Sequence, residues 1–364
     1  MFNNVIGQQR VKKILTNIHK SERLSHAYIF HGKEGIGKDA MAIEFSRLIN
    51  NESPETNIFH TEYFNFITSL PAGTGDAGEN SDPLLGLDKK DFDVYRSEME
   101  NKSEDFYHKI NIPKANNIRI DSIRFIKRKI YLTGRENKKK IYVISDADKM
   151  SQESANALLK ILEEPPKNSL LILTTSRINS LLPTIIGRCQ LIKFDDISLD
   201  DLTNYINKTF NEISSEEAAL YASLSDGSIS ACNALIENDT LEFRESMLNL
   251  LAAALSGRSL LLGDEIDYII SMKSKSALKQ YLSIMLLWFS DLVLRDSGSV
   301  DFIANKDKID RLDKFNSKFE FDYYDVILSI EDAIREIDMN VNQELILFNL
   351  IYKLKAIINP LKTG

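Results

Sequence analysis

AYIFHGKEGIGKDAMAIEFSR, running from Ala27 to Arg47, is the stretch from which the fold is read. Ala27, Tyr28, Ile29 and Phe30 suit a short buried strand. Gly32, Gly35, Gly37 and Lys38 follow, and then a helical pattern carries Met41, Ile43, Phe45 and Leu48. A strand, a glycine loop and a helix start together cradle phosphate. Glycines let consecutive backbone amides turn inward, and the helix N-terminus adds positive potential. Gly32 to Lys38 fits the phosphate-loop pattern GxxxxGK, whose usual next residue is Ser or Thr. Here that residue is Asp39. The missing hydroxyl ordinarily ligates the magnesium ion that bridges terminal phosphates. Asp39 could ligate a metal itself, but it sets a negative charge beside polyphosphate, so the loop reads as a degenerate one.

The 364 residues are enough for two or three domains, and a hydrophobic content of 43% is ordinary for globular chains. With a net charge of −8, contact with nucleic acid has to come from a local basic patch or from partners rather than from the overall field. Cys189 and Cys232 offer neither metal-ligand spacing nor a disulfide framework, which suits a reducing compartment, and cytoplasm is the expectation. The opening MFNNVIGQQR has no apolar signal core. Apolar runs such as Ile284 to Phe289 are too short to span a bilayer, so no membrane segment is expected.

Taken in order, Gln8 to Ile18 predicts an amphipathic helix through Val11, Ile14, Leu15 and Ile18. From about residue 50 to 113 periodicity weakens, and PAGTGDAGENSDPLLG from Pro71 to Gly86 reads as a long loop, making this segment an insertion on the core domain. His60 and His108 have no partner at ligand spacing. Ile123, Ile126 and Ile130 form one face of a helix that also carries Arg124, Lys127 and Arg128. With Lys138 to Lys140 these make a basic cluster, either a solvated face or a DNA-backbone contact. The apolar strand Ile141 to Ile144 ends in Ser145 and Asp146, where phosphate-loop proteins hold magnesium and polarise water. A helix capped by Ser151 and stopped by Pro165 and Pro166 follows. Strands come next at Leu170 to Leu173, ending in Thr174 and Thr175, and at Leu191 to Phe194. Strands alternating with helices predict a parallel sheet covered on both faces. Beyond Asp196 no strand is predicted, and the closing helix spans Asn342 to Ile358. Its Leu345 and Phe348 either hold the end domain together or pack on neighbouring subunits.

Taken together, IGQQRVKKIL (6–15), HAYIFHGKEGIGK (26–38), ISDADKMSQESANALLKILEEPP (144–166), LLILTTSRINSLLPTIIGRC (170–189) and DGSISACNAL (226–235) resemble the bacterial clamp-loader branch of the AAA+ family. NQELILFNLIYKL (342–354) looks like the last helix of that family's collar. The resemblance implies an α/β AAA+ P-loop core over residues 1–197 with the insertion around 50–113. A small helical lid over 198–240 and an all-α collar over 241–364 would follow. It also implies how the chain departs from ATP-hydrolysing members. Gly32, Gly35, Gly37, Lys38 and Asp39 align with the phosphate loop, Ser145 and Asp146 with the Asp-Glu motif for magnesium and water, and Thr175 with a sensor position. Ser230 stands where a phosphate-sensing Arg is expected. Arg188, in the family's SRC motif with Gly187 in place of Ser, is kept. In the family this Arg reaches into a neighbour's nucleotide site as an arginine finger, a device worth about 10³ to 10⁵ in phosphoryl-transfer rate.

The reading implied is a non-hydrolysing subunit of a replicative DNA-directed DNA polymerase (nucleotidyltransferase) holoenzyme. It would complete a ring with tau/gamma motor subunits and the delta subunit, and that complex would load a sliding clamp on primer-template DNA. No cofactor is required, weak ATP or ADP binding at the loop stays open, and the four zinc cysteines of many members are missing between Asn50 and Pro113. Two rivals remain. An ATP-hydrolysing motor subunit is disfavoured by Ser145 and the short Asp146, and a P-loop small-molecule kinase by the LEEPP and RC segments.

Overall fold

The computed structural model describes residues 2–21, 23–73, 82–132, 138–237, 240–256, 259–271, 274–339 and 341–361. Short runs rich in Ile, Leu, Val, Phe and Tyr become the strands β1 (Ala27–His31), β2 (Phe64–Ile67), β3 (Lys140–Ile144), β4 (Ser169–Thr175) and β5 (Gln190–Lys193). All pair in parallel, in the order β2-β3-β4-β1-β5. Ile29 of β1 sits between Leu173 of β4 and Leu191 of β5. Every residue of β4 is buried, as a strand covered on both faces requires.

Side chains alternate across such a sheet, so each strand feeds two cores. On one face Ile29, Tyr142, Ile144, Leu171 and Leu173 pack under α4 (Ile120–Tyr131) and α5 (Gln152–Glu163), against Ile123, Ile126, Leu158 and Ile161. On the other, Tyr28 meets Phe45 of α2 (Lys38–Ile49) edge to face with ring centres 5.9 Å apart. The amphipathic α1 (Gln9–Lys20) buries Val11 and Leu15 as its spacing predicts, and Ser151 caps α5 by accepting from the Ser154 amide. These elements, the short α6 (Pro183–Ile186) and the residues between them belong to one unit, Met1–Leu202 with Gly227–Ser230.

The reading of residues 50–113 as an insertion needs correcting. The segment supplies β2, an edge strand of the sheet, and α3 (Lys89–Glu104), which Asp88 caps through the Asp91 amide. Among its described residues α3 buries only Lys102 fully, with Tyr95 and Met99 half-buried on the same side, a row too sparse among charged residues for periodicity to detect. Residues 74–81 of the expected loop lie outside those described.

The second unit, Thr203–Asp226 with Ala231–Gly364, is helical. It contains most of α7 (Leu199–Thr209) and of α9 (Ile229–Glu237), and all of α8 (Ser215–Leu224), α10 (Thr240–Ser256), α11 (Ser259–Ser271), α12 (Lys275–Asp296), α13 (Ile309–Asn316), α14 (Tyr323–Asp338) and α15 (Gln343–Ile357). The residues expected to form lid and collar thus fall, from Thr203 onward and apart from Gly227–Ser230, in this one unit. Contrary to expectation there is one small strand pair, Phe319–Glu320 (β6) against Asn359–Pro360 (β7). The run Ile284 to Phe289 belongs to α12, whose stretch Ala277–Asp296, with mean hydropathy 1.3, is long and apolar enough to cross a membrane by length and composition. Its buried face is instead the centre of this unit's core, through Tyr281, Leu282, Met285, Trp288, Phe289 and Leu292. Asp291 is buried beside them and accepts from the Ala304 and Asn305 amides at 3.0 and 2.8 Å.

Candidate functional site

Parallel strands deliver their C-terminal ends to one edge of the sheet, so the loop after β1, Ser145 and Asp146 after β3, and Thr174 at the end of β4 converge. The loop carries positive φ at Gly35 (75°) and Gly37 (91°), a region open to glycine and strained for other residues. Both glycines are also covered closely. A Cβ on Gly37 would meet the Tyr107 hydroxyl at 2.8 Å, and one on Gly35 would collide with Ser228. The Ile229 amide donates to the Gly35 carbonyl at 3.0 Å, and the Tyr107 hydroxyl accepts from the Ile6 amide at 2.8 Å. The face of the loop that would receive phosphate is therefore lined by the chain itself.

The two side chains that follow are also engaged internally. Lys38 is 7% exposed, and its Nζ donates to the Gly32 carbonyl at 2.9 Å and to that of Lys33. Burial lowers its pKa, against the opposing pull of Asp39, Asp146, Glu34 and Asp148. Asp39 accepts from the Ser145 hydroxyl at 2.8 Å and the Thr174 hydroxyl at 2.7 Å, and Lys102 Nζ stands 3.4 Å away. Burial alone would raise the Asp39 pKa. The Lys102 ammonium, the two hydroxyls and Lys38 outweigh it, so the carboxyl titrates below its ordinary value and is an anion at neutral pH. Lys102, 3% exposed, also donates to the carbonyls of Phe106 and His108 at 2.8 Å each. An ammonium thus faces the group that replaced the magnesium-binding hydroxyl. The hollow left between these groups measures about 70 Å³, against roughly 300–1,000 Å³ for ligand pockets.

Ser145 and Asp146 stand where the sequence placed them, but Asp146 has φ 50° and its carboxylate accepts from Lys149 at 2.8 Å. Thr175 is the residue that the resemblance makes sensor-like. Thr174 reaches Asp39, whereas Thr175, one residue on and pointing to the opposite face, donates to Asp148 at 2.6 Å. Lys102 and Tyr107 were missed because they sit in the aperiodic segment. A lysine in so polar a helix as α3 gives no sign of burial.

Arg188 lies apart from this cluster, directly after α6. The nearby carboxylates of Asp195 and Asp196 pair with Arg10 and Lys33, each at 2.9 Å. Arg188 instead donates to Glu163 at 2.9 Å and to the Thr184 carbonyl at 3.0 Å, with its side chain 38% exposed. Glu163 belongs to the LEEPP segment, so the structure joins the two most specific motifs. Within the basic cluster, Lys138 binds Glu52 and the Asn50 carbonyl, and Lys140 binds carbonyls at the end of α4, while Lys127 faces outward. Among the described residues no three His, Cys, Asp or Glu side chains gather as a metal site.

A family model described as DNA polymerase III, delta subunit, matches residues 7–63 and 89–198. The corresponding C-terminal model matches residues 238–356. The chain is 26% identical over 357 residues to DNA polymerase III subunit delta' of Bacillus subtilis (strain 168), covering 96% of each. It belongs to the delta-prime family of clamp-loader subunits. Subunits tau and gamma are similar over a shorter span. Subunit tau of the same organism is 28% identical over 257 residues, which is 68% of this chain and 40% of tau. Subunit gamma of Buchnera aphidicola subsp. Schizaphis graminum (strain Sg) is 26% identical over 253 residues, 61% of its length. A gamma subunit-related protein from Thermotoga maritima aligns over 94% of this delta-prime chain and 98% of its own at 17% identity, with a TM-score of 0.46. The match to delta' runs along nearly the whole of both chains, and the matches to tau and gamma along part of each. Nothing in these similarities favours a kinase.

Proposed function

We propose that this delta-prime chain is the non-hydrolysing member of its clamp loader. It needs no bound nucleotide and supplies Arg188 in trans to the nucleotide site of an adjacent tau/gamma motor. The observation that carries this reading is the occupied phosphate loop, where Lys38 is turned onto its own loop carbonyls and Asp39 is neutralised by Lys102 and two hydroxyls. Polyphosphate would have to break these contacts and approach a carboxylate. Arg188 is free to serve a neighbour because its pair with Glu163 is a surface one, worth about 0.2–1 kcal/mol. A planar guanidinium on the rim can grip phosphate bidentately. In this reading the chain acts in the cytoplasm beside the delta subunit, and the assembled complex engages the sliding clamp and primer-template DNA.

Steady-state ATPase tests both halves. The isolated chain is expected to turn over no faster than Lys38→Ala. In complex reconstituted with motor subunits, Arg188→Ala should lower the DNA- and clamp-stimulated rate, and Arg188→Lys should restore it only in part. Lys38-dependent turnover in isolation sinks the first half. Equal rates for all three Arg188 forms in assembled complex sink the second.

A further inference from the structure

We infer that a groove between α10 and α13 of the helical unit binds an acidic amphipathic helix contributed by a partner protein. The groove encloses about 730 Å³, and its floor is apolar, with Leu248, Leu251, Trp288 and Phe315. Its rim carries three basic residues and one acid, Glu265, which accepts from the Ser246 hydroxyl at 2.6 Å. Arg311 and Lys314 lie one turn apart on α13, Lys318 follows in the turn after its end, and all three are exposed. Arg311 shares Glu245 with Lys308, at 3.1 and 2.8 Å. Lys314 and Lys318 have no carboxylate within ion-pair distance among the described residues, and Asp313, next to Lys314 in the chain, is taken by Arg295 at 2.7 Å. Two uncompensated cations beside an apolar floor are notable on a chain of net charge −8.

The chemistry selects the occupant. Nucleic acid would satisfy the lysines but leave the floor empty, and an uncharged apolar helix would fill the floor but leave the lysines. A helix with apolar residues on one face and Glu or Asp along the flank meets both, the helix-in-groove mode of recognition. Ala252 and Ala253 on the α10 side permit close backbone approach. Trp288, 1% exposed, lies at the bottom of the groove.

Trp288 is the chain's single tryptophan, which makes it a built-in reporter. The test titrates full-length protein with synthetic helical peptides of about 15 residues, long enough to hold helix in isolation. They carry Leu or Phe at i, i+3, i+4 and i+7 and Glu along one flank, and Trp288 emission and peptide anisotropy are read. Saturable binding is expected, weakened at least tenfold by Lys314→Glu with Lys318→Glu, and weakened as salt is raised. Ala252→Trp, which obstructs the groove without touching its charge, should abolish binding, with thermal melting unchanged in each variant. The inference is overturned if no acidic peptide saturates, if the charge-reversed chain binds equally well, or if Lys-for-Glu peptides, laurate or single-stranded oligonucleotide bind the groove more tightly.

Discussion

Asp39 shows how one residue redirects a site. In the folded chain its pKa is depressed, chiefly by Lys102 and the two hydroxyls acting against burial, so the folded state holds this proton more weakly than the unfolded state. The stabilisation is therefore complete above the unfolded carboxyl value of about 3.9 and is lost as pH falls through the lower folded value. Asp39→Asn should remove about 1–3 kcal/mol at pH 7. It should also flatten the wild-type fall in stability below about pH 4. Urea unfolding of both chains between pH 2.5 and 7 checks this, and parallel pH profiles would exclude it. A second expectation concerns Glu163. Glu163→Gln releases Arg188 from a surface pair and should change stability by no more than about 0.5 kcal/mol, while leaving the complex's ATPase at or above wild type. A clear fall in that rate would mean that Glu163 positions Arg188 for its task. At this scale the sequence was informative about Asp39, Ser145 and Asp146, which depart from the hydroxyl and the Asp-Glu pair that a phosphate loop ordinarily sets around magnesium and water. It was uninformative about their new partners, because Lys102 lies 63 positions away in a segment whose path no local pattern specifies.

Elements were legible where one periodicity dominated. β1, β3, β4, α1, α4 and α5 fall within a residue or two of their expected ends, since apolar runs bounded by caps, glycines and prolines leave little choice. β2 and α3 were missed for a shared reason. An edge strand of four residues between polar loops and a helix that fully buries only one lysine both lack a stripe dense enough to detect. In α15 two stripes coexist. Ile346, Leu347, Leu350, Ile351 and Leu354 enter the core, whereas Leu345, Phe348 and Tyr352 are 62%, 49% and 77% exposed. Of the two roles expected for Leu345 and Phe348, holding the end domain together does not fit their exposure, and spacing alone could not say which apolar face turns inward. Their exposed row suits contact with neighbouring subunits. Leu345→Asp with Phe348→Asp should thus leave thermal melting nearly unchanged and reduce incorporation into the complex on size exclusion. Leu347→Ala should destabilise by about 2–5 kcal/mol. If the double variant melted like Leu347→Ala, or assembled normally, the face would not be an interface.

At the scale of the whole chain, the division into an α/β unit and a helical unit followed from where strands stop. The grouping of the lid residues with the collar did not, since it depends on packing between helices that sequence pattern leaves open. Ending the chain after residue 340 removes α15 and its five core residues from the helical unit. Trp288 emission should then shift to that of a solvated indole, while Tyr28 and Tyr142, both in the sheet, keep their near-ultraviolet dichroism. Loss of both signals together would show that the sheet cannot stand without the helical unit. The occupied phosphate loop has an evolutionary consequence of its own. Asp39, Lys102, Ser145 and Thr174 come from α2, α3, the end of β3 and β4, and each satisfies another. Reverting Asp39 to Thr alone leaves the Lys102 ammonium, 3% exposed, with no carboxylate. Restoring Asp at 145 alone sets two carboxylates against each other. Each single step toward a metal site is a step down in stability, so the nucleotide-free loop proposed above behaves as a ratchet, reversible only through coordinated change at several positions.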